Sequence, residues 1–170
     1  MIMKDLSYFL VVSDIDGTLN NKLRRTPSVN LDAIRRFTKD EGGHFTLASA
    51  RCAESLYTYY KNLPDKSTPA IVLNGAGIYD FSKKEMLWYN SIPAESRELI
   101  RKAMDKFQSL EIAIFTPDEI YLVRPKISSR FMMHLDGLEH TECKTLDEVP
   151  EGSWGKVIFF CMPWNKKKIK

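Results

Sequence analysis

Two aspartates, Asp14 and Asp16, follow an apolar run that ends at Val12. Residues two apart on an extended chain project to the same side. Two close carboxylates repel each other unless they share a proton or a cation, and Mg²⁺ prefers hard oxygen ligands of this kind. One carboxylate can then act as a nucleophile and the other as an acid and base. The pair predicts magnesium-assisted chemistry; the alternative is two solvated aspartates in a turn that caps a helix.

The residues on either side of the pair indicate where it lies in the fold. Tyr8–Val12 is apolar without polar alternation, which predicts a fully buried parallel strand. Gly17 permits a sharp turn directly after the carboxylates. Because α/β proteins place their ligands at the carboxyl ends of parallel strands, we expect the pair to lie in a site.

The string Asp14-Ile15-Asp16-Gly17-Thr18-Leu19 resembles the haloacid dehalogenase-like phosphatases. The resemblance implies that Asp14 is the nucleophile, which forms an aspartyl-phosphate, and that Asp16 is the general acid and base. It also implies a Mg²⁺ ion held by Asp14 and by the backbone carbonyl of Asp16. Gly17 and Thr18 join the predicted phosphate-binding residues.

Ser49 is a second candidate, because it lies between a predicted strand and a predicted helix. A hydroxyl, backbone N–H groups and a helix dipole together form a phosphate seat; the alternative is a plain N-cap serine. The string Ala48-Ser49-Ala50-Arg51 resembles the A-T-G-R type of string of the same family, with Ala50 in place of the glycine. We therefore assign Ser49, Ala50 and Arg51 to phosphate binding, although an arginine at the start of a surface helix is usually just solvated.

Asn74 begins an Asn-Gly-Ala string at the end of the third predicted strand. This string resembles the Cof-type branch of the superfamily, in which it faces the site. The resemblance makes Asn74 a candidate substrate-binding residue. An Asn-Gly pair by itself indicates only a turn.

Alternating strands and helices position these candidates. We predict strands at 8–12, 44–48 and 70–73, with one helix between Thr26 and the Gly42-Gly43 pair and another that Pro64 closes. This order predicts an α/β fold, with a Rossmann-like, doubly wound parallel sheet core in residues 1–80.

Residues 81–170 have a different pattern, which predicts an α+β cap inserted after the core strands. The predicted elements are a hairpin around 78–89, a helix from Pro93, strands at 111–115 and 119–123, a helix from Ile127, a strand at 156–162 and the exposed start of a helix at 166–170. The Cof-type resemblance implies the same arrangement, with the cap closing over the substrate.

Composition excludes several classes of protein. Of 170 residues, 44% are hydrophobic and 28% charged, which is typical of a soluble protein with a real core. The net charge of +3 is spread out, so we expect no nucleic-acid partner. Without a membrane-length apolar stretch or a signal peptide, we expect no membrane partner and a cytoplasmic location. The three cysteines lack C-x-x-C spacing, which indicates reduced thiols and no zinc site.

The sequence departs from the family pattern after the predicted cap. The resemblance implies a lysine and a G-D-x-x-N-D string there, but no such string follows Met162, and Lys156 lies in a predicted cap strand. Without the later strands, Tyr8–Val12 would be an exposed apolar edge. We expect a core and a cap that are both incomplete at the C-terminus, through truncation, a complementing C-terminal segment or self-association, and we favour truncation.

The principal functional hypothesis is a Mg²⁺-dependent phosphatase that acts on a small phosphorylated metabolite, such as a sugar phosphate. One alternative is a phosphomutase of the same superfamily, which shares these residues. Another is an inactive fragment that acts as a binding or assembly piece. A phosphoacceptor switch domain also uses strand-end aspartates with Mg²⁺, but the cap-like insertion and the D-x-D-G-T string argue against it.

Overall fold

The chain divides into two compact units, Met1–Trp88 and Tyr89–Lys170, in a computed structural model that describes residues 5–160. The division falls inside the second strand of the predicted hairpin. Cys161, the predicted strand end at Met162 and the run 166–170 lie outside the described residues.

The first unit begins with parallel strands. β1 (Leu10–Ser13) pairs in parallel with β2 (His44–Leu47) along its whole length. A single parallel bridge between Ala48 and Ile71 connects the end of β2 to β3 (Ala70–Val72). The predicted α/β class with a Rossmann-like parallel core is therefore confirmed.

Two helices connect these strands. α1 (Ser28–Arg35) follows Pro27 and continues as a π-helical turn through Asp40. α2 (Ala53–Tyr60) connects β2 to β3. The buried side chains of the first unit come from both helices and from β2 and β3, and they include Ile34, Phe45, Leu47, Leu56, Tyr60 and Val72. Burial of each large apolar side chain stabilises the unit by about 1.5–3 kcal/mol.

A hairpin completes the first unit. β4 (Gly77–Asp80) pairs antiparallel with β3, and β5 (Glu85–Tyr89) follows it in the same sheet. The Asp80 carboxylate accepts hydrogen bonds from the backbone N–H groups of Ser82 and Lys83, which fixes the turn. The hairpin lies where the sequence predicts it.

β1 is exposed although its residues are apolar. Leu10, Val11 and Val12 are 54%, 44% and 44% exposed. The prediction of a fully buried strand is wrong, because within residues 5–160 β1 is hydrogen-bonded to β2 alone. The expectation of an exposed apolar edge is confirmed, and the strand begins at Leu10 instead of Tyr8.

The second unit packs helices and a four-stranded sheet around its own core. Its elements are α3 (Ala94–Lys106), β6 (Glu111–Phe115), β7 (Ile120–Val123), α4 (Ile127–Asp136), β8 (Thr141–Cys143) and β9 (Lys156–Phe160). The strand order is β8-β7-β6-β9, with β6 antiparallel to both β7 and β9. Every residue of β6, the strand between β7 and β9, is buried.

Glu111, at the start of β6, is 2% exposed. Its carboxylate accepts hydrogen bonds from the N–H groups of Lys126 and Ser129 and from the Ser128 hydroxyl, at 2.9, 3.3 and 2.6 Å. A buried carboxylate thus satisfies N–H groups at the start of α4, which have no partner inside the helix. No helix in the described part of the chain is long and apolar enough to cross a membrane.

Candidate active site

The ends of β1 and β2 lie side by side. The N–H of Ala48 donates to the carbonyl oxygen of Ser13 at 2.9 Å, which continues the parallel pairing by one residue. Asp14 and Ser49 are the next residues on the two segments. The nucleophile and phosphate-binding residues predicted from the sequence therefore follow neighbouring strand ends.

The side chains alternate across Asp14, Ile15 and Asp16. Ile15 is fully buried, whereas the aspartates on either side of it are exposed. The alternation of an extended chain thus persists beyond the last residue of β1. Both carboxylates lie on the solvent side, as the spacing predicts.

A tight turn follows the two aspartates. The N–H of Leu19 donates to the Asp14 carbonyl at 3.2 Å, and the N–H of Asn20 donates to the Ile15 carbonyl at 2.9 Å. Gly17 has a φ of +87°, which a side chain would make costly. The Thr18 hydroxyl lies 3.5 Å from Asp14 Oδ2, a long contact that leaves the carboxylate open to a ligand.

Arg51 contacts the second carboxylate. Its Nη2 lies 3.1 Å from Asp16 Oδ2, and its Nη1 donates to the Ser55 hydroxyl at 3.0 Å. The guanidinium carbon lies 5.0 Å from the centroid of the Tyr59 ring. The Arg51 side chain is 15% exposed, so the interpretation of a solvated arginine is wrong. Among the described residues, Arg51 forms an ion pair with the Asp16 carboxylate.

Ser49 is buried and oriented by the backbone. It is 8% exposed, and its Oγ accepts a hydrogen bond from the N–H of Arg51 at 3.3 Å. The Ser49 oxygen is the acceptor in this bond, so the hydroxyl can still donate its own proton to a ligand. The N-cap of α2 is Cys52, so the plain N-cap interpretation of Ser49 is wrong. Ala50 is exposed between Ser49 and Arg51.

The segment after β3 is hydrogen-bonded to the segment after β2. The N–H groups of Leu73 and Asn74 donate to the carbonyls of Arg51 and Ser49, at 2.9 and 3.1 Å. Leu73, Asn74 and Gly75 have φ values of +53°, +60° and +93°. Left-handed backbone at a buried leucine is costly, and surrounding structure must hold it. The exposed Asn74 side chain is thereby placed next to the Ser49 segment.

The oxygen donors at the end of β1 fit a small hard cation. A carboxylate at Asp14 and a backbone carbonyl at Asp16 are ligands that Mg²⁺ accepts, together with water and phosphate oxygens. Within residues 5–160 no group of three or more His, Cys, Asp or Glu side chains is placed to hold a metal. These residues fit a site in which the substrate and water complete the coordination.

Two residues of this arrangement were not among the sequence-based candidates. Ser55 and Tyr59 hold Arg51, and they follow it by four and eight residues on one face of α2. That spacing is the signal that identifies them. For the left-handed Leu73 the sequence offers no signal, because leucine rarely adopts this conformation.

Comparison with known proteins identifies the family of the chain. Residues 11–169 match a family model described as haloacid dehalogenase-like hydrolase. No curated protein matches the chain.

Several solved structures have a similar fold. A Thermotoga maritima protein is 19% identical with a TM-score of 0.73, over 95% of this chain and 60% of that chain. A haloacid dehalogenase-like hydrolase from Bacteroides thetaiotaomicron is 21% identical with a TM-score of 0.68, over 85% and 55%. A sugar phosphatase of HAD subclass IIB is 16% identical with a TM-score of 0.69, over 95% and 62%. The chain therefore spans between 55% and 62% of the length of these three structures.

Proposed function

Because the chain belongs to the haloacid dehalogenase-like hydrolase family, we propose that its first unit carries the nucleophile and phosphate-binding residues of a Mg²⁺-dependent phosphatase. The observation that supports this proposal is the placement of Asp14 and Asp16 on the solvent side of a buried Ile15. They lie at the end of β1, next to the segment that carries Ser49. Carboxylates beside a phosphate-binding hydroxyl are suited to phosphoryl transfer.

Asp14 is the nucleophile in the first half of the reaction. One of its carboxylate oxygens forms a bond to phosphorus while the bond between phosphorus and the ester oxygen breaks. Asp16 donates its proton to that departing oxygen, which leaves as an alcohol. The product of this step is an aspartyl-phosphate on Asp14.

Water completes the reaction. Asp16, now deprotonated, accepts a proton from the attacking water while the water oxygen bonds to phosphorus. The bond between phosphorus and Asp14 then breaks, which releases inorganic phosphate and restores both carboxyl groups. One group therefore serves as acid and then as base, as reversal of the proton transfer requires.

Ser49 and the turn after β1 bind the phosphate. The Ser49 hydroxyl, whose oxygen accepts from the Arg51 N–H, donates its proton to a phosphoryl oxygen. Gly17 and Thr18 supply backbone and hydroxyl donors in the turn beside Asp14, and Asn74 supplies an exposed amide. Donors that are already fixed before the reaction stabilise the charge that develops on these oxygens.

Magnesium fits the oxygens at the end of β1. The Asp14 carboxylate and the Asp16 carbonyl would hold the ion, and it would neutralise charge on the phosphoryl group. We propose a sugar phosphate or similar small metabolite as the substrate. One structural neighbour is named a sugar phosphatase, which supports this class.

Mg²⁺-dependent hydrolysis of 4-nitrophenyl phosphate tests the proposal. We expect release of nitrophenol that EDTA abolishes and that Asp14→Asn lowers by orders of magnitude. Asp40→Asn is the matched control, since Asp40 is an exposed aspartate on the turn after α1, and this variant should keep wild-type activity. Equal activity of the wild type and Asp14→Asn would refute the proposed nucleophile.

A second candidate function is a binding or assembly piece without catalysis. The exposed apolar β1 favours it, as does the lack of a third metal-binding side chain among residues 5–160. A wild-type chain that hydrolyses no aryl phosphate with Mg²⁺ present would support this candidate. Transfer of the phosphoryl group to a second sugar hydroxyl instead of water would indicate a phosphomutase.

A further inference from the structure

We propose that Arg51 is a positioning residue for Asp16, and that it does not bind the phosphate of the substrate. The inference rests on the proposed function, in which Asp16 transfers the proton. It corrects the assignment that the sequence favours, because there Arg51 joins the phosphate-binding residues.

The planar guanidinium of Arg51 contacts several side chains. One terminal nitrogen lies 3.1 Å from Asp16 Oδ2, and the other donates to Ser55 Oγ at 3.0 Å. The Tyr59 ring lies at 5.0 Å from the guanidinium carbon. A guanidinium is rigid and planar, so fixing both terminal nitrogens and contacting an aromatic ring fixes the whole group. Such a group presents a fixed donor to Asp16.

Arg51 is more deeply buried than Asp16, which is the relation expected if Arg51 positions Asp16. The Arg51 side chain is 15% exposed, whereas the Asp16 side chain is 50% exposed. An exposed aspartate at a turn has several rotamers of similar energy. A charge-assisted hydrogen bond to a mostly buried, fixed donor selects one of them. The carboxylate that must meet the leaving oxygen is therefore held before the substrate arrives.

Phosphate binding by Arg51 would break these contacts. To reach a phosphoryl oxygen, the guanidinium would have to leave the Asp16 carboxylate, and moving the plane would also disturb the bond to Ser55. Ser55 is 7% exposed, so its hydroxyl would lose a partner in a buried place. The three residues of α2 and its preceding turn thus act together on Asp16.

Kinetics separate positioning from binding. In Arg51→Met we expect kcat for 4-nitrophenyl phosphate to fall by about 10- to 100-fold, the size of effect that a misplaced catalytic group causes. KM should stay within about twofold, since the phosphate-binding groups remain. Arg51→Lys keeps the charge without the plane and should recover part of kcat. Arg35→Met is the control, because Arg35 is exposed on α1 and pairs locally with Asp32.

Inorganic phosphate gives a readout that does not depend on turnover. Calorimetric titration should give Arg51→Met the wild-type affinity, whereas Ser49→Ala should bind more weakly. A loss of about tenfold or more in the phosphate affinity of Arg51→Met would overturn the proposal and make Arg51 a phosphate ligand. An unchanged kcat in Arg51→Met would overturn it as well.

Thermal unfolding distinguishes failure of this inference from failure of the proposed function. The change in melting temperature of the double variant should differ from the sum of the changes in Asp16→Asn and Arg51→Met, because the two side chains are in contact. A wild type without Asp14-dependent hydrolysis overturns the proposed function, and the positioning role falls with it even if the coupling is found. An active wild type with additive melting temperatures overturns the positioning role alone.

Discussion

The backbone N–H of Asn74 donates to the carbonyl oxygen of Ser49, with 3.1 Å between nitrogen and oxygen. This bond joins the segments that follow β2 and β3. The Ser49 N–H in turn donates to the Ile71 carbonyl at 3.0 Å, so Ser49 is fixed by both of its backbone groups. The position of its hydroxyl is therefore set by two strands.

Removal of that hydroxyl should weaken phosphate binding. For Ser49→Ala we expect an inhibition constant for inorganic phosphate about 10- to 100-fold higher, since one hydrogen bond to a charged group contributes about 1.5–3 kcal/mol. Ser49→Thr keeps the hydroxyl and should stay close to the wild type. Ser28→Ala, at an exposed serine of α1, is the control. An unaltered inhibition constant in Ser49→Ala would show that the hydroxyl does not contact the phosphate.

Gly17→Ala should destabilise the first unit through its backbone. A Cβ at Gly17 would meet no atom within 4 Å, so the φ of +87° is the source of the cost. We expect a loss of about 1–2 kcal/mol in the free energy of unfolding, measured by urea denaturation. Gly17→Asn should lose less, because asparagine tolerates left-handed backbone better. An unchanged midpoint in Gly17→Ala would mean that the turn rearranges.

Glu111 should make the second unit sensitive to acid. Burial raises the pKa of this carboxyl, but hydrogen bonds from Ser128, Ser129 and the Lys126 N–H outweigh it, and the net pKa lies below the ordinary value of 4.5. A lowered pKa in the folded state stabilises the protein above the unfolded-state pKa. That stabilisation is lost as the pH falls through the folded-state value.

Glu111→Gln tests this dependence. The variant should be less stable by about 1–3 kcal/mol at neutral pH, because a charged acceptor of buried donors is removed. The difference between wild type and variant should shrink as the pH falls below about 4.5. Urea denaturation at a series of pH values measures it, with Glu95→Gln at an exposed position of α3 as the control. A difference that does not change with pH would contradict the assignment.

The β1 edge should drive self-association. Val11 is 44% exposed on a strand that is paired on one side within the described residues, and exposed apolar edges pair with other chains. Val11→Lys should reduce concentration-dependent association in sedimentation velocity. Val29→Lys places the same charge at a 69% exposed valine of α1 and should leave association unchanged. Equal sedimentation of all three proteins at every concentration would exclude the edge as the contact.

Local sequence signals predict much of the fold. The central strand β6 has its predicted bounds, 111–115, because the apolar run 112–115 lies between the polar residues Glu111 and Thr116. β8 is not predicted, since Thr141, Glu142 and Cys143 offer one buried side chain and form a sheet edge. The burial of β1 is mispredicted because an apolar run specifies a preference and not the neighbours that would satisfy it.

The sequence predicts those candidate-site residues that directly follow strands. Asp14, Ser49 and Asn74 each follow a strand, and topology alone brings such positions to one edge. The contact between Arg51 and Asp16 joins residues far apart in the chain, and no local pattern indicates which anion an arginine will meet. The left-handed conformation of Leu73 could not be predicted from the sequence either, because tertiary hydrogen bonds hold this leucine in a conformation that leucine rarely adopts.

The run of left-handed residues from Leu73 to Gly75 also decides which mutations this chain can accumulate. Isoleucine and valine match leucine in polarity, yet at position 73 their branched Cβ would clash with the local backbone, so drift there is restricted by shape. The preceding residue, Val72, is buried in the extended strand β3, where β-branched residues are favoured. A deep mutational scan would therefore show tolerance for isoleucine at position 72 and selection against it at position 73, two adjacent buried sites with opposite rules.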